Sequence, residues 1–241
     1  YNANHMFYTP SNYYDGDTTI SGNVTMGGIY NFKKFHLEWT GTVNIGTEGF
    51  LIIKADTVII DGNIDGSGVN NGDGTGGASG GGGGYGGCNP CSGDIGHATV
   101  SPYHDFSLGG QLNVGGISVD SSQILSAIDM SVTMKGGAGG DGCIAFGCAC
   151  SGVFAERGFG GAGIIIITKF YETTFTSSID LSGTDGIATC SHQFPPSGSG
   201  GGGNLVVKSA SFGVLDGVTD FSGGNGGSST GGSGMSIYIT P

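Results

Sequence analysis

Positive charge is scarce in this chain. Seven Lys and Arg, with Arg157 the one arginine, face 19 Asp and Glu, giving a net charge of −12. A nucleic-acid partner needs a basic surface and a polybasic membrane anchor needs clustered Lys or Arg, so neither fits. Long apolar runs are missing too: the longest, "IIII" at 164–167, is far short of the ~18 residues that span a bilayer and reads as a strand. Proline is rare, with six residues, and glycine keeps no strict every-third spacing, which excludes collagen. Helical periodicity is absent from every long segment free of glycine. Charged residues make up only 11% of the chain beside 13 Phe and nine Tyr, too apolar a composition for a solvated coil. The chain folds, and it folds as strands.

What it has in abundance is glycine: 54 residues, including the run "GGGGGYGG" at 80–87. Such runs are usually tethers, because glycine loses the most backbone entropy on ordering. Here they alternate with apolar segments that resemble one another. "FLIIKADTVIIDGNIDGSG" (50–68), "IIIITKFYETTFTSSIDLSG" (164–183) and "NLVVKSASFGVLDGVTDFSG" (204–223) each open on a β-branched strand. Each then turns a polar corner, runs a second strand and ends in Asp-x-Ser-Gly. Residues 111–140 read as a degenerate fourth copy, and "GMSIYIT" as the opening strand of a further one. Repeats of this kind predict an all-β fold, a parallel β-solenoid or β-helix-like domain with its apolar strands inside. Asp and Ser at the corner bond nearby amides, and Gly supplies a positive φ. Glycine runs recurring at one point of each coil stack side by side as extended three-residue helices of the polyglycine II type, resembling polyproline II. Only glycine allows that approach, so glycine is expected to be building material.

These features resemble those of glycine-rich β-solenoid surface and fibre proteins of bacteria and phages. The resemblance covers roughly residues 15–240, from "DGDTTISGNVTMGGIYNFKKFHLEWTGTVNIGTEGF" onward. The glycine runs are similar to the polyglycine-helix adhesin tips of T-even-type tail fibres, and the ends to head-to-tail extracellular fibril subunits. The resemblance implies an extracellular structural or binding role.

The six cysteines, Cys88, Cys91, Cys143, Cys148, Cys150 and Cys190, all lie in glycine-rich stretches. Three disulfides in an exported chain, with a signal peptide removed before Tyr1, are the expectation; six cysteines allow fifteen pairings. The rival is a zinc site from Cys88, Cys91, Cys148 and Cys150 with His97 or His192. "DGNIDG" at 61–66 starts like a calcium loop, making Asp61, Asn63 and Asp65 a weak Ca²⁺ candidate, yet position 72 is Gly where a bidentate acid is needed. Solenoid corners explain the same residues without a metal. No cofactor is expected otherwise. Nucleophile elbow, P-loop and dinucleotide fingerprint are all missing, and "AERG" around Arg157 reads as a local salt-bridged turn. An enzyme, for instance a polysaccharide-degrading β-helix, is therefore the last of three readings. His5, His36, His97, His104 and His192 are scattered and read as surface or loop residues, and Asn23 heads a lone glycosylation sequon.

The opening stretch "YNANHMFYTPSNYYDGD" stands apart, with five aromatics in its first fourteen residues and no glycine before Gly16. We divide the chain into an extended arm, 1–17, and a single glycine-rich domain, 18–241. The arm either caps its own solenoid or adds to the next subunit, placing Met6, Phe7, Tyr8, Tyr13 and Tyr14 in apolar grooves. Ile237, Tyr238, Ile239 and Thr240 are the expected open edge at the other end. The first reading is thus a homopolymer, an extracellular filament assembled head to tail. The second is an adhesin that binds glycans or a receptor through glycine-rich loops.

Overall fold

The structure is a computed structural model describing residues 16–72, 118, 135–137, 157–186, 197–225 and 229–240. These residues form eleven strands and no helix: β1 (Asp17–Ile20), β2 (Asn23–Met26), β3 (Gly28–Leu37), β4 (Thr42–Ile45), β5 (Phe50–Ile60) and β6 (Asn63–Asp65) come first. They are followed by β7 (Gly163–Thr173), β8 (Ser178–Asp180), β9 (Leu205–Leu215), β10 (Val218–Asp220) and β11 (Ser236–Ile239). Odd-numbered strands build one six-stranded sheet in the order β1-β3-β5-β7-β9-β11, and even-numbered strands a five-stranded sheet in the order β2-β4-β6-β8-β10. Every pairing between these strands is parallel. Each long odd strand and the short even strand after it therefore form one level, and the chain climbs one level at a time.

The core lies between the two sheets. From the six-stranded sheet come Leu51, Ile53, Val58, Ile60, Ile164, Ile166, Leu205 and Val207, and Val43, Ile45, Ile64 and Ile179 meet them from the other. β-Branched residues suit this pleated, buried surface. The inward set of β5 changes parity midway, from Leu51 and Ile53 to Val58 and Ile60, so the long strands bend there. The ladder skips the residue at the bend, pairing Ala55 with Thr168 and next Thr57 with Phe170. Thr168 supports the bend by donating its hydroxyl to the carbonyls of Asp56 (3.1 Å) and Phe170 (2.9 Å). On the opposite face of the same sheet, Ile52, Ile165 and Ile167 form a separate buried cluster with Phe50.

The three Asp-x-Ser-Gly corners do what their side chains suggest. Asp65 accepts the Ser67 amide at 3.0 Å, Asp180 that of Ser182 at 2.9 Å, and Asp220 that of Ser222 at 2.8 Å. The glycine ending the motif differs between copies. Gly68 has φ +57°, while Gly183 and Gly223 are outside the left-handed region and are needed instead for space. A Cβ on Gly183 would strike the Gly200 carbonyl, and one on Gly223 the Gly231 backbone.

Beyond these corners the described glycine-rich segments bond to one another. Residues 199–205 show the pattern most fully. Ser199, Gly202 and Leu205 donate to Ser229, Gly232 and Met235; Gly200 and Gly203 donate to Thr184 and Leu181; Gly201 donates to Gly137. Amides three residues apart thus reach the same neighbour, and the segment bonds to three neighbours through its amides alone. Its carbonyls add bonds from Gly158 and Gly161 to Gly198 and Gly201, and from Gly224 to Gly200.

Of the degenerate fourth copy, 111–140, all but residues 118 and 135–137 lies outside the described residues. β5 pairs directly with β7 from Phe50↔Gly163 to Ile60↔Thr173, so no strand from 111–140 stands between them. Gly136 and Gly137 instead join the glycine layer, through Gly136 to Gly161 and Gly201 to Gly137. Two levels that carry no Asp-x-Ser-Gly precede β5, namely β1–β2 and β3–β4.

Candidate assembly interface

Both ends of the stack leave part of a sheet unpaired among the described residues. At the first end, β1 pairs only with the second half of β3, Asp17↔Lys34 to Ile20↔Leu37. Residues 28–31 of β3 are paired on one side, with β5, and not on the other. Ile29 there is 59% exposed. Inside this end, Tyr30 stacks on Phe32 at 5.9 Å and Phe32 tilts against Phe35 at 5.3 Å. Ile20 and Met26 close the core from below.

At the other end the pattern is reversed. β11 pairs only with the first half of β9, Ser236↔Leu205 to Ile239↔Lys208. The second half of β9 has β7 on one side and nothing on the other, and β10 is the edge of its sheet and exposed throughout. Tyr238, turned toward the core, packs its ring on Phe212 (5.9 Å, edge-on) and Tyr171 (6.2 Å), which also contacts Phe212 edge-on. Burial, and then the neighbouring Tyr238, push the Tyr171 hydroxyl well above its ordinary pKa. Burial also raises Tyr238, with a hydrogen bond from Ser236 acting against it. Val214, Leu215 and Val218 complete an apolar rim, Val218 being 66% exposed.

The predicted edge residues Ile237, Tyr238 and Ile239 do lie in the last strand of the larger sheet, with Thr240 just past its end. The arm residues Met6, Phe7, Tyr8, Tyr13 and Tyr14, and all six cysteines, lie outside the described residues, as do residues 80–87. Asn23 sits on β2, an edge strand, exposed and alternating with the inward Val24 and Met26.

Each of the three calcium candidates has a separate partner. Asp61 takes His36 Nε2 at 2.8 Å on Oδ2, Asn63 Oδ1 accepts the Ser178 hydroxyl at 2.8 Å, and Asp65 Oδ1 serves Ser67. Among the described residues no three His, Cys, Asp or Glu converge on a common point. His36 is thereby corrected from a loop or surface residue to a half-buried residue of β3. Arg157 donates to Asn71 Oδ1 at 2.9 Å.

Sequence reasoning missed Ile29, Phe212, Val214, Leu215 and Val218 as members of end faces. For Phe212, Val214, Leu215 and Val218 the signal was present in the pattern "FGVLDGV", an apolar run whose equivalents in the two preceding copies are paired on both sides. No protein-family model matches the chain, and neither a curated protein nor a solved structure matches it.

Proposed function

We propose that this chain is a structural subunit of an extracellular filament, built head to tail by itself and not an enzyme. Its domain is read as a parallel β-solenoid, each level one coil, flanked by a polyglycine II-like layer. One observation carries the reading: among the described residues both end faces present unpaired parallel strand edges with apolar side chains exposed on them, and an open edge has to be capped or paired. Five of the eight large hydrophobics exposed among the described residues lie on these faces: Ile29, Val214, Leu215, Val218 and Tyr238. The aromatic arm, 1–14, adds to the neighbouring subunit and lengthens the life of the joint. Fully burying one such side chain contributes ~1.5–3 kcal/mol, against which the entropy of association and of ordering the arm is set. The resemblance to fibre and fibril proteins agrees with this reading.

A second reading, a glycan-binding adhesin, has one feature in its favour. Trp39 (73% exposed) and Phe175 (81% exposed) protrude from the same corner of the stack, where odd strands hand over to even ones. Exposed aromatics of this kind bind sugar faces.

Ultracentrifugation and electron microscopy of the native protein separate the two, since a filament subunit pellets as long fibres and an adhesin stays small. Deleting residues 1–14 is expected to leave a folded, soluble monomer with no fibres. An unfolded product would make the arm a cap for its own subunit and remove the main support for arm exchange. Undiminished polymerisation would place the joint wholly at the strand edges.

A further inference from the structure

The two incomplete strands at the ends are complementary halves. β1 lies in the register of 34–37 of β3, and that register passes through β5 and β7 to Ser211, Phe212 and Leu215 of β9. β11 lies in the register of 205–208, which passes back to 28–31. The two never share a position; Phe32 and Lys33 of β3 mark the gap between them. Among the described residues half a strand is therefore missing at each end, and each end holds the half that the other lacks.

We propose that β11 of one copy and β1 of the next occupy a single level, forming one composite strand across the joint. This inference rests on the filament reading and specifies its contact. The second copy continues the stack with every strand still parallel. Above the first copy's β9, its own β11 covers the first half and the incoming β1 covers the second. The incoming β2 then pairs with β10, extending the smaller sheet.

The registers fix the cross-copy neighbours. Ser236, Ile237, Tyr238 and Ile239 of the lower copy meet Gly28, Ile29, Tyr30 and Asn31 of the upper. Ser211, Phe212 and Leu215 meet Asp17, Thr18 and Ile20, and Val218, Thr219 and Asp220 meet Asn23, Val24 and Thr25. Apolar residues exposed on one face find apolar partners on the other: Ile29 on Ile237, Leu215 on Ile20. Tyr238 and Tyr30 both fall at the inward position shared with Ile53, Ile166 and Val207, so the core continues through the joint. Charge agrees as well. Asp65, Asp180 and Asp220 are ladder neighbours within one subunit, a like-charge row that costs stability. Across the joint that row meets Thr25 and then Asn44, so no fourth acid is added.

The test is crosslinking of Ile29→Cys subunits mixed with Ile237→Cys subunits in assembled fibres, using a short thiol-reactive bifunctional reagent. Within one copy these residues belong to β3 and β11, with β5, β7 and β9 between them, so the reagent can bridge them only between copies. The expected result is a crosslinked dimer, since each subunit carries one introduced thiol. It should be absent from unsubstituted fibres, which control for the native cysteines, and from a Thr19→Cys with Ile237→Cys mixture, whose residues stand far apart along the composite strand. A second pair, Asn31→Cys with Ile239→Cys, gives the same dimer if the first pair folds poorly. Fibres without either in-register crosslink would overturn the composite strand while leaving the filament intact. That is also the outcome if a subunit's own residues 1–14 lie along its 28–31 edge. No fibres from the unsubstituted chain would overturn the filament reading, and this inference with it.

Discussion

Tyr171 keeps its hydroxyl in the core with no hydrogen-bond partner among the described residues, and its ring is fully buried. A buried donor left unsatisfied costs roughly 1–3 kcal/mol, so the ring is there for packing against Phe212 and Tyr238, and the oxygen works against the fold. Tyr171→Phe is expected to stabilise the protein by about 1 kcal/mol in denaturant titrations. The pH dependence follows from the same burial. The folded state holds the Tyr171 and Tyr238 protons above the ordinary tyrosine pKa, so above about pH 10 the unfolded chain binds fewer protons and stability falls as pH rises. Lys208, whose pKa burial lowers, acts with the opposite sign: stability rises as pH climbs from its folded value to its ordinary one. Replacing Tyr171 alone separates the two. The variant should lose less stability than the parent between pH 9 and 11, and an equal or greater loss would show that the buried phenol does not govern the alkaline limb.

At the scale of one element, the glycine segment 198–203 shows how a residue class avoided inside strands becomes structural. A Cβ at Gly203 would fall on the Ala162 carbonyl, one at Gly200 on the Phe159 carbonyl and one at Gly202 on the Phe221 carbonyl. Each obstruction is backbone and cannot swing aside, and each neighbour is held by its own bonds. Gly203→Ala is therefore expected to destabilise by about 3 kcal/mol or more, beyond ordinary overpacking. Gly22, with open space around it and no positive φ, is the control, and Gly22→Ala should fall within about 0.5 kcal/mol of the parent. Urea titration of both variants decides: similar losses would mean that the glycine layer is not close-packed. The strand repeats were legible because their apolar residues recur with the same spacing, and the Asp-x-Ser-Gly corners because their chemistry is local. β1–β2 and β3–β4 were not read as levels of the stack. They turn through Met26-Gly27-Gly28 and Ile45-Gly46 without the corner motif, and Lys33, Lys34 and His36 interrupt the apolar pattern of β3. The end faces were harder still, because an edge is a property of what does not pair, and a strand's own residues do not record its missing neighbour.

For the whole molecule, stacking by levels makes stability a nearest-neighbour quantity. β5 and β7 have a paired strand on both sides along their full length, whereas β1, β10 and β11 have one neighbour each and β9 is covered over only half its length on one side. In a dispersed subunit, such as the variant lacking residues 1–14, amide exchange should therefore be slowest in β5 and β7 and quicken toward both ends, as local opening near an edge breaks fewer contacts. Glycine amides at 200–203, bonded to three neighbouring segments, should exchange slowly with the interior strands although these residues carry no side chains of their own. Under the filament proposal, assembly into fibres would remove the edges. Protection should then rise in β10, β11, β1 and β2, and in residues 28–31 and 211–215, while β5 and β7 change little. Mass-spectrometric exchange on dispersed and fibrous protein measures both profiles. If the end strands of the dispersed subunit were already as protected as β5, each end would be sealed within its own chain, and stacking through those edges would be ruled out.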